Sequence, residues 1–269
     1  MIVDSHLHCS GNEEPEGILR ALDEAKIDVA VLLAPMLNAS NLMQEAEELR
    51  HSNQHLGKVV RGHCDRLVPF AVVDPLDSEA ATDLRVAVEK FGLRGLKLVP
   101  SGWYPYEESA HRIYECATEL RIPILFHSGI FIDGRSGRFC RPVFFEALRD
   151  HPSLRVTLAH LGWPWCDEAN AVGLIDLIKG VRPPDCQFRF DISFGPPPVY
   201  RLEVLRKALA VLGPELLQFG SDRFLPCAGR DLMDAIEDVR KLFCELNLDE
   251  VSRRHIMGET AARWLGLKE

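Results

Sequence analysis

Two histidines, His6 and His8, stand two residues apart in the apolar opening run IVDSHLH. Side chains alternate faces along a strand, so a strand here puts both imidazoles side by side on one face. Two neutral imidazoles so placed are half of a zinc site. Three further groups of ligand or catalytic type close later apolar runs: His127 in ILFHSG, His160 in LAHLG and Asp222 in FGSDRF. A lone histidine in an apolar strand is most often a hydrogen-bonded core residue, and an isolated HxH arises often by chance. Four histidines and one aspartate, all at strand ends, form a joint pattern that points instead to a catalytic divalent metal.

The elements that must position these groups recur along the whole chain. Short apolar, β-branched-rich runs predict strands at about 2–8, 27–34, 68–74, 93–99, 122–128, 155–161, 187–194 and 216–222. Amphipathic stretches such as 41–56 and 231–245 carry apolar residues at helical spacing between them. Nearly continuous apolar character means that both strand faces are buried, as in a parallel sheet. Eight strand–helix alternations in 269 residues predict one (β/α)8 barrel over 1–269, with no linker or low-complexity tract to divide it. In such a barrel the loops after the strands form the catalytic face, and strand eight closes against strand one. Asp222 can then reach a metal held by His6 and His8.

The bulk composition excludes several partners. A net charge of -9 argues against nucleic acid or an anionic membrane, since either wants a basic face. The longest apolar run, Val29 to Leu37, contains Pro35 and is too short to span a bilayer. The opening MIVDSHLHC lacks a basic and then apolar leader, so a reducing, cytoplasmic setting is expected. None of the eight cysteines forms a CxxC pair, which leaves a structural zinc knot unsupported. An apolar helix face left exposed would make a homodimer; no such face is legible in the sequence.

On these residues the chain resembles the amidohydrolase superfamily, in its amidohydrolase-related branch of aromatic acid decarboxylases, lactonases and hydratases. The matching segments are Asp4-Ser5-His6-Leu7-His8, Phe126-His127-Ser128-Gly129, Ala159-His160-Leu161-Gly162 and Gly220-Ser221-Asp222. The ending Ile256-Met257-Gly258-Glu259-Thr260 through Leu267 is also similar, although Glu259-Thr260 replaces the commoner Asp-Asn or Gly-Asn. The resemblance spans the chain, with its motifs in the family's order. It implies a distorted TIM barrel, one metal ion, most simply Zn2+, bound by His6, His8, His127 and Asp222, and His160 as a catalytic residue. Such a metal lowers the pKa of bound water from about 16 toward ~7. Asp222 would take that proton and pass it on, and His160 would polarise a carbonyl or stabilise an oxyanion. Asp4, of the same parity as the two histidines, reads as a buried supporting carboxylate.

Weaker signals concern the substrate. Lys97 ends the fourth run, where binuclear relatives carry a carboxylated lysine that bridges two metals; with one metal favoured, it is a candidate contact for a substrate carboxylate. Arg135, Arg138 and Arg141 follow His127. Arginine suits a bidentate grip on a carboxylate, so Arg141 first and Arg138 second are the expected anchors of a small anionic substrate. Trp103, Tyr104, Tyr106, Trp163 and Trp165 would either wall a pocket or pack loops. Asp191 and Ser193 lie near the mouth with a spacing that is not diagnostic. His51 and His55 lack an intervening glutamate and read as surface residues. The leading expectation is hydrolysis of a C–N or C–O bond in a small carboxylate-bearing molecule. The alternative is non-oxidative decarboxylation of an aromatic or dienoic acid, and the remote one a metal-binding barrel without catalysis.

Overall fold

The computed structural model describes residues 1–193 and 195–267. The expected runs become strands β1 (Val3–His8), β2 (Val29–Leu33), β3 (Leu67–Val72), β4 (Gly95–Leu98), β5 (Ile124–Phe126), β6 (Val156–Leu158), β7 (Phe188–Asp191), β8 (Leu217–Gln218) and β9 (Arg223–Phe224). They pair in parallel in the order β8-β7-β6-β5-β4-β3-β2-β1-β9. The strands other than β9 are buried along their whole length, as expected of a sheet covered on both faces. The last position of the expected seventh strand, Phe194, lies outside the described residues.

The expected eighth strand, 216–222, is broken. Its first half pairs with β7 (Phe190 with Leu217, Asp191 with Gln218), and β9 pairs with β1 (Leu7 with Arg223, His8 with Phe224). Between the halves the Ser5 N–H donates to Phe219 O at 3.0 Å and the Asp222 N–H donates to His6 O at 2.8 Å. The ring therefore closes through an interrupted strand, which is the distortion that the resemblance implied. Asp222 sits at the interruption with φ of 55°. A left-handed non-glycine residue costs about 1–3 kcal/mol and persists only where its surroundings enforce it.

Helices α1 (Pro15–Ala25), α2 (Ala46–Val59), α3 (Ala80–Phe91), α4 (Glu108–Leu120), α5 (Cys166–Ile178), α6 (Pro198–Leu212) and α7 (Gly229–Glu245) cover the outside. Helix α2 begins later than the pattern 41–56 indicates, because Glu45 caps it: the Glu45 N–H donates to the Glu48 carboxylate at 3.2 Å. After β5 the chain forms two 3-10 segments, Ser136–Phe139 and Pro142–Asp150, in place of an α-helix. All eight cysteines are unpaired. Among the described residues no helix is long and apolar enough to cross a membrane.

Candidate metal and catalytic site

His6, His8, Lys97, His127, His160 and Asp222 all lie at or just beyond the C-terminal ends of strands, and the broken ring gathers them at one mouth. His6 Nε2 lies 3.1 Å from His8 Nε2, His8 Nε2 lies 3.1 Å from Asp222 Oδ1, and His6 Nε2 lies 3.3 Å from the same oxygen. Ligand bonds of about 2.0–2.1 Å place neighbouring donors of a tetrahedral site about 3.3 Å apart, so this triangle has the size that a small divalent ion requires. Its chemistry fits as well. Burial, with the Lys97 charge behind it, lowers the His6 pKa to about 4, and burial likewise lowers that of His8. Burial alone would raise the Asp222 pKa, but the neighbouring His6, His160 and His8 outweigh it and hold that carboxyl well below its usual range. Two neutral imidazoles and a carboxylate are the protonation states that metal binding needs.

The arrangement of protons points the same way. The His6 Nδ1–H donates to Asp191 Oδ2 at 2.8 Å, leaving Nε2 bare toward the triangle. The His127 Nε2–H donates to Ile130 O at 2.9 Å, leaving Nδ1 bare. His127 does not join the tight triangle; its ring stands 4.9 Å from that of His160, which in turn stands 5.3 Å from that of His6. Asp4 supports the break in the ring, its Oδ1 accepting from the backbone N–H of His6 at 3.1 Å and of Ser221 at 2.9 Å. Asp191, which the sequence left undecided, is completely buried and joins three elements. Besides His6 it accepts the His160 N–H at 3.0 Å and the Ser193 N–H at 2.9 Å.

Lys97 is 1% exposed, and its Nζ lies 3.2 Å from His6 Nε2. Burial lowers its pKa to about 8, against the upward pull of Asp191 and Asp222. Above these groups opens a cavity of about 310 Å³, at the small end of ligand pockets. His8, Lys97, His127, His160 and Asp222 are its polar lining; the rest is apolar, with Met36, Val99, Phe131, Trp163 and Phe224 among it, and Gly195. Phe224 also stacks on His8, ring centroids 4.6 Å apart.

The two expected arginine anchors are not in this cavity. The Arg141 side chain, 44% exposed, pairs with Glu168 on α5 and stacks over Trp165 at 5.6 Å. Arg138 is exposed and lies over the Phe139 ring at 4.8 Å. From the same loop it is Ile130 and Phe131, not the arginines, that line the cavity. Arg141→Met should therefore leave KM for an anionic substrate within about twofold, as expected for a solvated surface pair; steady-state kinetics checks this. Of the aromatic residues, Trp163 walls the cavity, Trp103 is core, and Tyr104 packs on Tyr106, Phe139 and Phe144.

Gly195 forms part of the cavity wall directly against His160. A Cβ added there would stand 2.3 Å from the His160 Cβ and 3.0 Å from its Cγ. Gly195→Ala must push the imidazole aside, and a displacement of a fraction of an ångström should lower kcat by about tenfold. Metal content should be unchanged, since Gly195 does not touch the triangle. Kinetics combined with metal analysis would separate the two effects.

The sequence matches the model of a family described as amidohydrolase over residues 3–267. No curated protein sequence matches it. Among solved structures, a 2,6-dihydroxybenzoate decarboxylase from Rhizobium has 16% identity and a TM-score of 0.71, over 99% of this chain and 98% of that one. A dihydroxybenzoic acid decarboxylase from Polaromonas sp. JS666, with bound manganese and the inhibitor 2-nitroresorcinol, has 15% identity and a TM-score of 0.69, over 100% and 97%. A protein from Acinetobacter baumannii described as a probable 2-pyrone-4,6-dicarboxylic acid hydrolase, with citric acid bound, has 16% identity and a TM-score of 0.66, over 99% of both chains. At these identities the likeness is one of fold.

Proposed function

Because the chain belongs to the amidohydrolase family, matched over nearly its whole length, we propose that it is a metal-dependent carboxy-lyase. On this reading it releases the carboxyl group of a small, planar aromatic acid as carbon dioxide, without oxidation. The observation that carries the proposal is the division of the cavity into one polar end, built from the His6, His8 and Asp222 group with Lys97, His160 and the adjoining His127, and apolar walls elsewhere. Such a cavity suits a flat ring whose one anionic group meets the polar end. It suits a polyanion poorly, since Lys97 is the lone lysine or arginine among the described lining residues.

A divalent ion held by His6, His8 and Asp222, with His127 as the proposed fourth ligand, would supply a Lewis acid that fixes and neutralises the substrate's oxygens. The nitrogen-rich donor set favours zinc, although the carboxylate also suits manganese, the metal in one similar structure. The chain's own groups do the rest. Lys97 pairs with the carboxylate and holds the ring in register. Apolar walls strip water from that carboxylate, so conversion to neutral carbon dioxide relieves a desolvated charge. The electron pair of the broken C–C bond stays on the ring carbon, and a proton delivered through His160 takes the place of the lost group.

A second reading, hydrolysis of a lactone or amide, is favoured by one observation: the Asp222 carboxylate lies within 3.3 Å of both His6 Nε2 and His8 Nε2, where it would stand beside a water held by an ion in that triangle. Isotopes distinguish the two. In D2O a decarboxylase places one deuterium on the product ring and releases carbon dioxide from a hydroxylated benzoate. Oxygen-18 from labelled water in a product carboxylate, with no carbon dioxide evolved, would replace this proposal with hydrolysis.

A further inference from the structure

We infer that Ser193 and Asp191 fix the tautomer of His160, so that the neutral ring carries its proton on Nδ1 and presents a bare Nε2. This goes beyond the choice of reaction, because it holds for whichever substrate the cavity takes.

The available protons decide the tautomer. Asp191 Oδ1 already accepts two backbone N–H groups, from His160 at 3.0 Å and from Ser193 at 2.9 Å, while Oδ2 accepts from His6 Nδ1 at 2.8 Å. Three N–H donors thus converge on its two oxygens, the setting of a carboxylate rather than a carboxylic acid. An ionised carboxylate can only accept. The Ser193 hydroxyl contacts both Asp191 Oδ1, in a short hydrogen bond, and His160 Nδ1, at 2.8 Å. It has one proton for these two neighbours. Given to His160, that proton would leave a hydroxyl lone pair facing a carboxylate oxygen. Given to Asp191, it makes a charge-assisted bond, the stronger kind, and the serine oxygen then accepts from His160 Nδ1–H. The second assignment satisfies all three groups, and they are buried beyond the reach of compensating solvent.

Two consequences follow. One carboxylate sets both rings alike: His6 directly and His160 through Ser193 each carry the proton on Nδ1. The His160 ring also keeps its hydrogen bond to Ser193 when Nε2 gains a proton, so it can take up and hand on a proton without turning. Neutral His160 is then an acceptor at Nε2, and only the imidazolium could polarise a carbonyl there. The His160 backbone is held to the same design. Its φ of 60° is left-handed, and its N–H is anchored on Asp191.

Nitrogen-15 NMR of histidine-labelled full-length protein tests this without any substrate, in both metal-stripped and zinc-loaded forms. The His160 signals are assigned by their disappearance in His160→Asn. Wild type should show a pyrrole-type shift at Nδ1 and a pyridine-type shift at Nε2. Ser193→Ala should move the population toward the Nε2–H form, which neutral histidine ordinarily prefers, and Ser193→Thr, which keeps the hydroxyl, should restore the wild-type pattern. A wild-type ring protonated on Nε2 would overturn the inference outright. Unchanged shifts in Ser193→Ala, or a threonine variant that behaves like the alanine one, would remove Ser193 from the role. None of these results depends on whether the enzyme decarboxylates or hydrolyses.

Discussion

Asp222→Asn should reduce turnover by about 10³-fold, within the range of a positioned proton-transfer group, and should weaken metal retention by about 10²-fold or more, as loss of a coordinating or supporting carboxylate does. Asparagine is the right probe because of the backbone. Asp222 has a left-handed φ of 55° and its N–H donates to His6 O at 2.8 Å, closing the ring at the broken strand. Asparagine is among the few residues that adopt this conformation readily, so the closure survives and the change falls on the charge alone. The lost charge faces His6 Nε2 at 3.3 Å and His8 Nε2 at 3.1 Å. Thermal melts should stay close to wild type while bound metal, measured by elemental analysis, falls. A variant with wild-type turnover and metal content would take Asp222 out of the site and leave both readings of the reaction without a centre.

The parts of this site that were legible in the sequence are those fixed by strand parity. His6 and His8 share a face because they are two apart on one strand, and that inference needs no distant contact. The eight strands could be read because both their faces are apolar. The break after Gln218 could not be read, since LLQFGSD is as apolar as the other runs. It shows only in the pairing, where the residues before the break meet β7 and those after it meet β1. The direction of Arg141 could not be read for a related reason: residue type and proximity in sequence carry none, and its partner Glu168 lies 27 residues away on another element. Asp191 and Ser193 were seen but not valued. A D-x-S spacing is common, and what sets this one apart is that the same carboxylate meets His6, 185 residues earlier, and the backbone of His160, 31 residues earlier. A signal was available in the combination: a buried acid at the end of a strand, in a ring where other strands end in histidine, must find donors among the groups at that mouth.

Lys97→Met should lower kcat/KM for an aromatic carboxylate by about 100-fold, the upper range for losing a hydrogen bond to a charged group. Most of the loss should appear in KM, as for any group that binds the substrate as tightly as its transition state. With Arg138 and Arg141 outside, Lys97 is the lysine or arginine that the described cavity offers to an anion, and it is 1% exposed, where water screens little. Methionine keeps the length and bulk of the side chain while removing its charge. The substitution also leaves Asp191 and Asp222 without a nearby cation, so their carboxyl pKa values should rise. Charge repulsion at the polar end should then lower Tm by a few degrees in metal-stripped protein, and bound metal should restore it, since the ion provides the missing positive charge. An uncharged substrate of the same shape should lose much less than the acid. Equal losses for both would mean that Lys97 acts on the reaction itself. Two divalent ions per chain, together with a lysine heavier by one carbon dioxide in intact mass, would make Lys97 a bridging ligand, and the mononuclear assignment would fall with it.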